Sequence, residues 1–134
     1  MNIDAKQLLM MLSEDKAISG SVLAARFGVT RAAIWKQMET LRSHGAPIGV
    51  LAGKGYALLN RIDLLDARLI EGALPAATAG GALEIDVRWQ VDSTSSELSR
   101  CVPVDCSTPA VCFAEIQTDG RGRRGRNWHS PLCG

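Results

Sequence analysis

Apolar positions recur at helical spacing through the first third of the chain. Leu8, Leu9 and Leu12, with Met11 beside them, follow i, i+1, i+4 and predict a helix between Asp4 and Ser13. Val22, Leu23 and Phe27 predict a second, short helix. Ser19 precedes it, where a hydroxyl accepts from the free N–H groups of a first turn, and Gly28 stops it. Thr30 caps a third helix in which Ile34, Met38 and Leu41 share one face, Ala32, Lys36, Glu39 and Thr40 the other, with Trp35 on the flank. Gly45 and Pro47 end that helix. Two short apolar runs then surround Ala52-Gly53-Lys54-Gly55, namely Ile48-Gly49-Val50-Leu51 and Tyr56-Ala57-Leu58-Leu59, which predicts a β-hairpin with a basic tip.

Two helices joined by a tight Gly-containing turn, followed by a hairpin, describe a winged helix-turn-helix over residues 1–60, with the third helix as the recognition helix. Arg31, Lys36 and Arg42 on its exposed face and Lys54 at the wing tip are residue types that neutralise phosphates, so DNA is the expected ligand. A packing or protein-interaction module is the alternative use of the same elements.

Residues 61–83 form a predicted connector with one short helix, residues 64–71, capped by Asp63, and a small-residue loop from Pro75 to Gly81. From Glu84 the period changes to two. Ile85, Val87, Trp89 and Val91 alternate with Glu84, Asp86, Arg88 and Gln90, a half-buried strand. Asp92-Ser93-Thr94 stops it and caps a short helix from Ser95 to about Cys101. Ala110 to Ile116 is nearly continuously apolar, as suits a strand covered on both faces.

Composition adds a segregation of charge that the near-neutral total hides. Residues 1–60 hold seven Lys or Arg against four acids, 61–119 four against ten, and 120–134 four against none, which points to separate units with separate partners. No run approaches the roughly 18 apolar residues of a spanning helix, and Met1-Asn2-Ile3-Asp4 lacks a signal peptide's basic and apolar regions, so the expected address is cytoplasmic, with no membrane partner. Cys101, Cys106, Cys112 and Cys133 fit no paired Cys-x-x-Cys spacing; they are expected to be ordinary reduced thiols, and no metal site is predicted.

The most unusual segment is Gly120-Arg121-Gly122-Arg123-Arg124-Gly125-Arg126-Asn127-Trp128. Glycines let backbone N–H groups approach an anion, and guanidinium groups grip phosphate or carboxylate in bidentate fashion. A solvated basic loop and a nonspecific RNA-binding segment are the simpler alternatives. The loop directly follows an apolar strand and precedes a Trp able to stack on a base.

Thr30-Arg31-Ala32-Ala33-Ile34, Gly53-Lys54-Gly55-Tyr56, Asp92-Ser93-Thr94, and Ala114-Glu115-Ile116-Gln117 leading into Gly120-Arg121-Gly122-Arg123-Arg124-Gly125-Arg126 together resemble the bifunctional biotin protein ligase and biotin operon repressor family. The motifs stand in the family's order, from the first helix to Gly134. The resemblance implies an α+β chain: a winged helix followed by the incomplete start, residues 84–134, of a class II synthetase-like ligase domain. It implies ATP-dependent activation of biotin, with Mg2+ accompanying ATP, to biotinyl-5′-adenylate and transfer to a lysine of biotin carboxyl carrier protein. The adenylate would also promote a homodimer on biotin operator DNA. Carried onto matching positions, Ser93, Thr94, Ser95 and Gln117 contact biotin, with Ser95 standing where such ligases often have Asn. Arg121, Gly122 and Arg123 close over biotin and the adenylate phosphate, Arg123 in a catalytic role, with Trp128 near the adenine. Without the family, Ser93 and Thr94 read equally as helix caps and Trp128 as core. Arg31, Ala32, Lys36 and Lys54 face DNA. The family's catalytic lysine has no counterpart, since no Lys follows Lys54, and the expectation is a truncated or fragmentary member without ligase activity of its own, or a DNA-binding regulator with a ligase remnant.

Overall fold

The structure, a computed structural model, describes residues 3–75, 83–101 and 107–132. It divides into two compact units, one of residues up to Asp63 together with Leu132, the other from Leu64 to Pro131. Cys106, Cys133 and most of the Pro75–Gly81 loop lie outside the described residues. No helix among the described residues is long and apolar enough to cross a membrane.

In the first unit, α1 (Ala5–Met10) starts where the Asp4 carboxylate accepts the Gln7 N–H at 3.0 Å. α2 (Gly20–Phe27) starts on Ser19, whose hydroxyl accepts the Val22 N–H at 3.3 Å, and ends on Gly28 in the left-handed region, φ 63°. α3 (Arg31–Ser43) starts on Thr30, whose Oγ1 accepts the Ala33 N–H at 3.2 Å. The Ser19 and Thr30 caps stand where the sequence places them, and Asp4, read only as the helix boundary, proves to be a cap as well. Leu8, Leu9, Leu12, Leu23, Ile34, Met38 and Leu41 close a core in which each large aliphatic side chain contributes roughly 1.5–3 kcal/mol of burial. Val22, one of the apolar positions that mark α2, is exposed; Leu23 and Ala24 turn inward, because adjacent helical positions lie about 100° apart and only one arc faces α3.

β1 (Ile48–Leu51) and β2 (Gly55–Leu58) pair antiparallel from Ile48↔Leu58 to Leu51↔Gly55. Gly55 therefore belongs to the ladder, and the wing tip is Ala52, Gly53 and Lys54. Ile18 adds a bridge to the outer edge of β2: its N–H donates to the Tyr56 carbonyl at 2.8 Å and its carbonyl accepts the Tyr56 N–H at 2.9 Å. Gly55 makes this approach possible. Its φ is +116°, and a Cβ there would collide with the Ile18 carbonyl oxygen.

In the second unit α4 is Ala67–Ala73, three residues later at its start than the apolar spacing predicts, and its cap is Asp66, which accepts from the Arg68 and Leu69 N–H groups at 2.8 and 3.1 Å, not Asp63. The Leu65 N–H donates at 2.5 Å to the carboxylate of Glu115, only 7% exposed. β3 (Glu84–Val91) and β4 (Ala110–Gln117) pair in parallel from Glu84↔Ala110 to Val91↔Gln117, and α5 (Thr94–Cys101), one residue longer than expected, lies between them in sequence. β4 is not covered on both faces among the described residues: Ile116 is buried but Phe113 is 38% exposed, with β3 and α5 the elements packed most closely on the strand.

The Arg-Gly segment is a small hairpin. β5 (Gly120–Arg121) pairs antiparallel with β6 (Asn127–Trp128), and the Gly122 N–H donates to the Arg126 carbonyl at 2.7 Å. The 3-10 turn Arg123–Gly125 closes it through two consecutive left-handed residues, Arg124 at φ 61° and Gly125 at φ 70°. At Gly120 a Cβ would lie 2.6 Å from the Trp128 carbonyl oxygen, so only glycine admits this pairing.

Candidate functional site

Each unit presents one assembled surface. In the first, Arg31, Ala32 and Trp35 of α3 face Lys54 and the wing across an open groove of about 590 Å³, floored by the start of α2 and by Tyr56. Arg31, Ala32, Lys36 and Lys54 are all exposed. Arg42 differs from expectation. Its guanidinium is committed to Glu39 one turn earlier, at 2.8 Å, which leaves less of its charge for a ligand.

The second surface is the carboxyl end of the parallel strand pair, where the backbone pairing continues past the strands. The Thr118 N–H donates to the Val91 carbonyl at 3.0 Å and the Asp119 N–H to the Asp92 carbonyl at 2.8 Å, so the Asp92-Ser93-Thr94 turn and the approach to the Arg-Gly hairpin are held side by side. Ser93 is 3% exposed, and its carbonyl accepts the Glu97 N–H at 2.9 Å to close the first turn of α5. Thr94 donates both its N–H, at 3.0 Å, and its hydroxyl, at 3.3 Å, to Oε1 of Gln117. The Ser93-Thr94 turn is thus more than a local cap, since Thr94 is tied to the other strand. With the Gln117 oxygen committed, its NH2 group, a two-proton donor, is the part offered to a ligand.

The Arg-Gly hairpin joins this constellation through Arg121, whose guanidinium donates to the Ser96 hydroxyl of α5. Arg123 lies exposed in the hairpin turn, and Ser95 is exposed on the first turn of α5. Trp128 is 58% exposed and is not core. Ser93, Thr94, Gln117 and Arg121 are therefore gathered at the strand ends, while Ser95, Arg123 and Trp128 stand at the surface.

Four residues hold the site in ways the sequence reading did not assign. Ser96 receives Arg121. Asp92 Oδ1 accepts the Ser93 N–H at 2.7 Å, and both its oxygens accept from Arg100, at 2.7 and 3.0 Å; Arg100 also reaches Glu97 at 2.7 Å. The Arg100 hydrogen bonds, with the Ser93 N–H next, hold the Asp92 carboxyl well below the usual carboxylate range, and Arg100 likewise lowers Glu97. The fourth is Glu115, whose signal was visible as the one charged residue in the apolar run of β4. Hydrogen bonding to Glu97 pushes the Cys101 thiol up and burial pushes up Cys112, so both stay protonated thiols at neutral pH; both are free. Among the described residues no three His, Cys, Asp or Glu side chains gather as a metal would need.

Residues 5–57 match the HTH domain family and residues 89–133 the biotin/lipoate A/B protein ligase family, so the division of the chain between two families follows its two compact units. The bifunctional ligase/repressor BirA of Salmonella typhimurium is 39% identical over 125 residues, covering 93% of this chain and 37% of the relative. Over nearly all of its length the chain is thus similar to a bifunctional ligase/repressor. The Escherichia coli protein of that name is 38% identical over 126 residues, 94% of this chain and 37% of its own length, and that of Bacillus subtilis 31% over 128 residues, 93% and 38%. The chain thus spans under two fifths of the length of these ligase/repressors, and the aligned part holds both surfaces described above.

Proposed function

We propose that the chain provides the DNA-binding unit (residues 1–60), the connector (61–83) and the biotin- and adenylate-gripping first part (84–134) of a cytoplasmic biotin protein ligase that represses the biotin operon. The carrying observation is the Thr94–Gln117 pair beside Arg121 at the strand ends, which sets amide and hydroxyl donors next to fixed positive charge.

The chemistry needs that combination. The biotin carboxylate attacks the α-phosphorus of ATP, forming the acyl phosphate bond of biotinyl-5′-adenylate and expelling pyrophosphate; a lysine amine of biotin carboxyl carrier protein then attacks the acyl carbon, loses a proton and expels AMP. Two anions must meet in the first step. Arg121 and Arg123 offset their repulsion and stabilise charge on the phosphoryl oxygens, while the Gly122 and neighbouring backbone allows close approach. Ser93, Thr94, Ser95 and the NH2 group of Gln117 hydrogen-bond biotin and hold its carboxylate in line, and Trp128 stacks on the adenine. Mg2+ would arrive with ATP; the described residues do not form a site for it by themselves, and no step above depends on it. Arg31, Ala32, Lys36 and Lys54 contact operator DNA, to which the adenylate recruits the chain as a homodimer.

Isothermal titration of the chain with a nonhydrolysable biotinyl-5′-adenylate analogue tests the ligase part. Saturable binding weakened at least tenfold by Arg121→Ala with Arg123→Ala supports it. Binding indifferent to both substitutions, or duplex DNA binding with no adenylate binding at all, overturns it.

A further inference from the structure

Phosphate contacts account for the basic residues of the first unit but not for the apolar ones beside them. Trp35 is 59% exposed, and across the groove Val50 and Leu51 of the wing are 60% and 45% exposed. Holding an indole in water against no partner forgoes the burial that an aromatic ring ordinarily gains on folding, so a face of this kind is complete only when something apolar covers it. Charge narrows the choice of cover. Arg31 and Lys54 line the groove and no acid does, so the occupant carries anions at its margins and an apolar group at its centre.

Duplex DNA viewed from the major groove meets both demands, and of the four bases only thymine presents a methyl group there. Ala32 and Trp35, three residues apart, share one face of α3, with Arg31 and Lys36 next to them in sequence. Ala32 has no side chain beyond Cβ, so the helix can approach a base edge closely, and Trp35 supplies a broad apolar surface. We propose that Ala32 and Trp35 select thymine through its 5-methyl group in the DNA this unit binds, a specificity that rests on the DNA-binding reading above.

The test begins with selection from a randomised duplex pool by the full chain, followed by affinity measurements on the enriched duplex and on copies in which single thymines are replaced by deoxyuridine, which removes only the methyl group. At one or two positions the exchange is expected to weaken wild-type binding about fourfold, the value of one buried methyl. Trp35→Ala should weaken binding to the thymine duplex to a similar degree and bind the thymine and deoxyuridine forms equally, whereas Trp35→Phe keeps part of the discrimination. Arg31→Ala should weaken both forms alike and preserve their ratio. Discrimination that survives Trp35→Ala, or its absence in the wild type, overturns the proposal while leaving DNA binding intact. A Trp35→Ala variant that loses self-association but keeps the thymine preference also overturns it, by assigning the face to a second copy of the chain. If no sequence is enriched, the DNA-binding reading fails first.

Discussion

Gln117, at the end of β4, accepts two hydrogen bonds from Thr94, 23 residues earlier in the chain, one from its backbone N–H and one from its hydroxyl. The amide nitrogen of Thr94 is one of the donors that the first turn of α5 leaves without an intrahelical partner, so a side chain from a neighbouring strand does the work a local cap does elsewhere. Gln117→Ala should therefore loosen the start of α5, with the Thr94 amide exchanging about tenfold faster, whereas Thr94→Val, which keeps the backbone bond, should change that rate little. Equal acceleration in both variants would show that the hydroxyl, and not the amide, carries the link.

Arg100 clamps Asp92 across the length of α5, and the carboxyl responds with a lowered pKa. Its native-state value lies below the unfolded one, so its contribution is complete above the ordinary Asp range and is lost only as pH falls through the lower native value. Carbon-13 shifts of the Asp92 carboxyl should show it still ionised at about pH 4, where an unperturbed Asp is half protonated. Arg100→Met should return the midpoint towards that ordinary value. A wild-type midpoint near 4 would refute the clamp.

If the first unit binds DNA as proposed, salt dependence measures how many phosphates it neutralises. Each lost contact lowers the slope of log K against log salt by about 0.9, so the Lys36→Ala, Lys54→Ala pair should flatten it by about 2. Fluorescence anisotropy with a labelled duplex at several salt concentrations reads the slope directly. No change would place the phosphate-binding face elsewhere.

Two glycines of the wing separate conformational from steric demand. Gly53 has φ +72° with open space around it, and Gly55 has φ +116° with the Ile18 backbone against it. Alanine at 53 should cost about 1 kcal/mol, the ordinary penalty of left-handed backbone. Alanine at 55 should cost at least about 3 kcal/mol and release the Ile18 bridge. Urea midpoints of the two variants check the difference, and equal losses would contradict the close approach.

The elements that were legible in the sequence are those governed by neighbours along the chain. Asp4, Ser19 and Thr30 cap helices three residues from their targets, and the alternation from Glu84 to Val91 coincides with β3. The misplaced start of α4 shows the limit. Asp63 and Asp66 are equally good caps in sequence; in the fold it is Asp66 that accepts the first-turn N–H groups, while the Leu65 N–H is held by Glu115, 50 residues away. The candidate site residues were named through the family's motifs, but the side chains that support them were not. The Asp92–Arg100 pair, eight residues apart, and the Arg121–Ser96 contact correspond to no local period, and only the folded strand pair brings them together.

Because β3 and β4 run parallel, Gln117 and the Ser93-Thr94 turn share one end of the pair, while Ala110 begins β4 about 23 Å away at the opposite end. The chain that links Cys101 to Ala110 enters at that remote end. Over generations of sequence drift, its length and composition are free to vary without disturbing the ligand constellation, whereas a single inserted residue between Gln117 and Gly120 would displace the whole arginine hairpin. Natural variation in this chain should therefore pile up in the link before β4 and be nearly absent from the two-residue step after it.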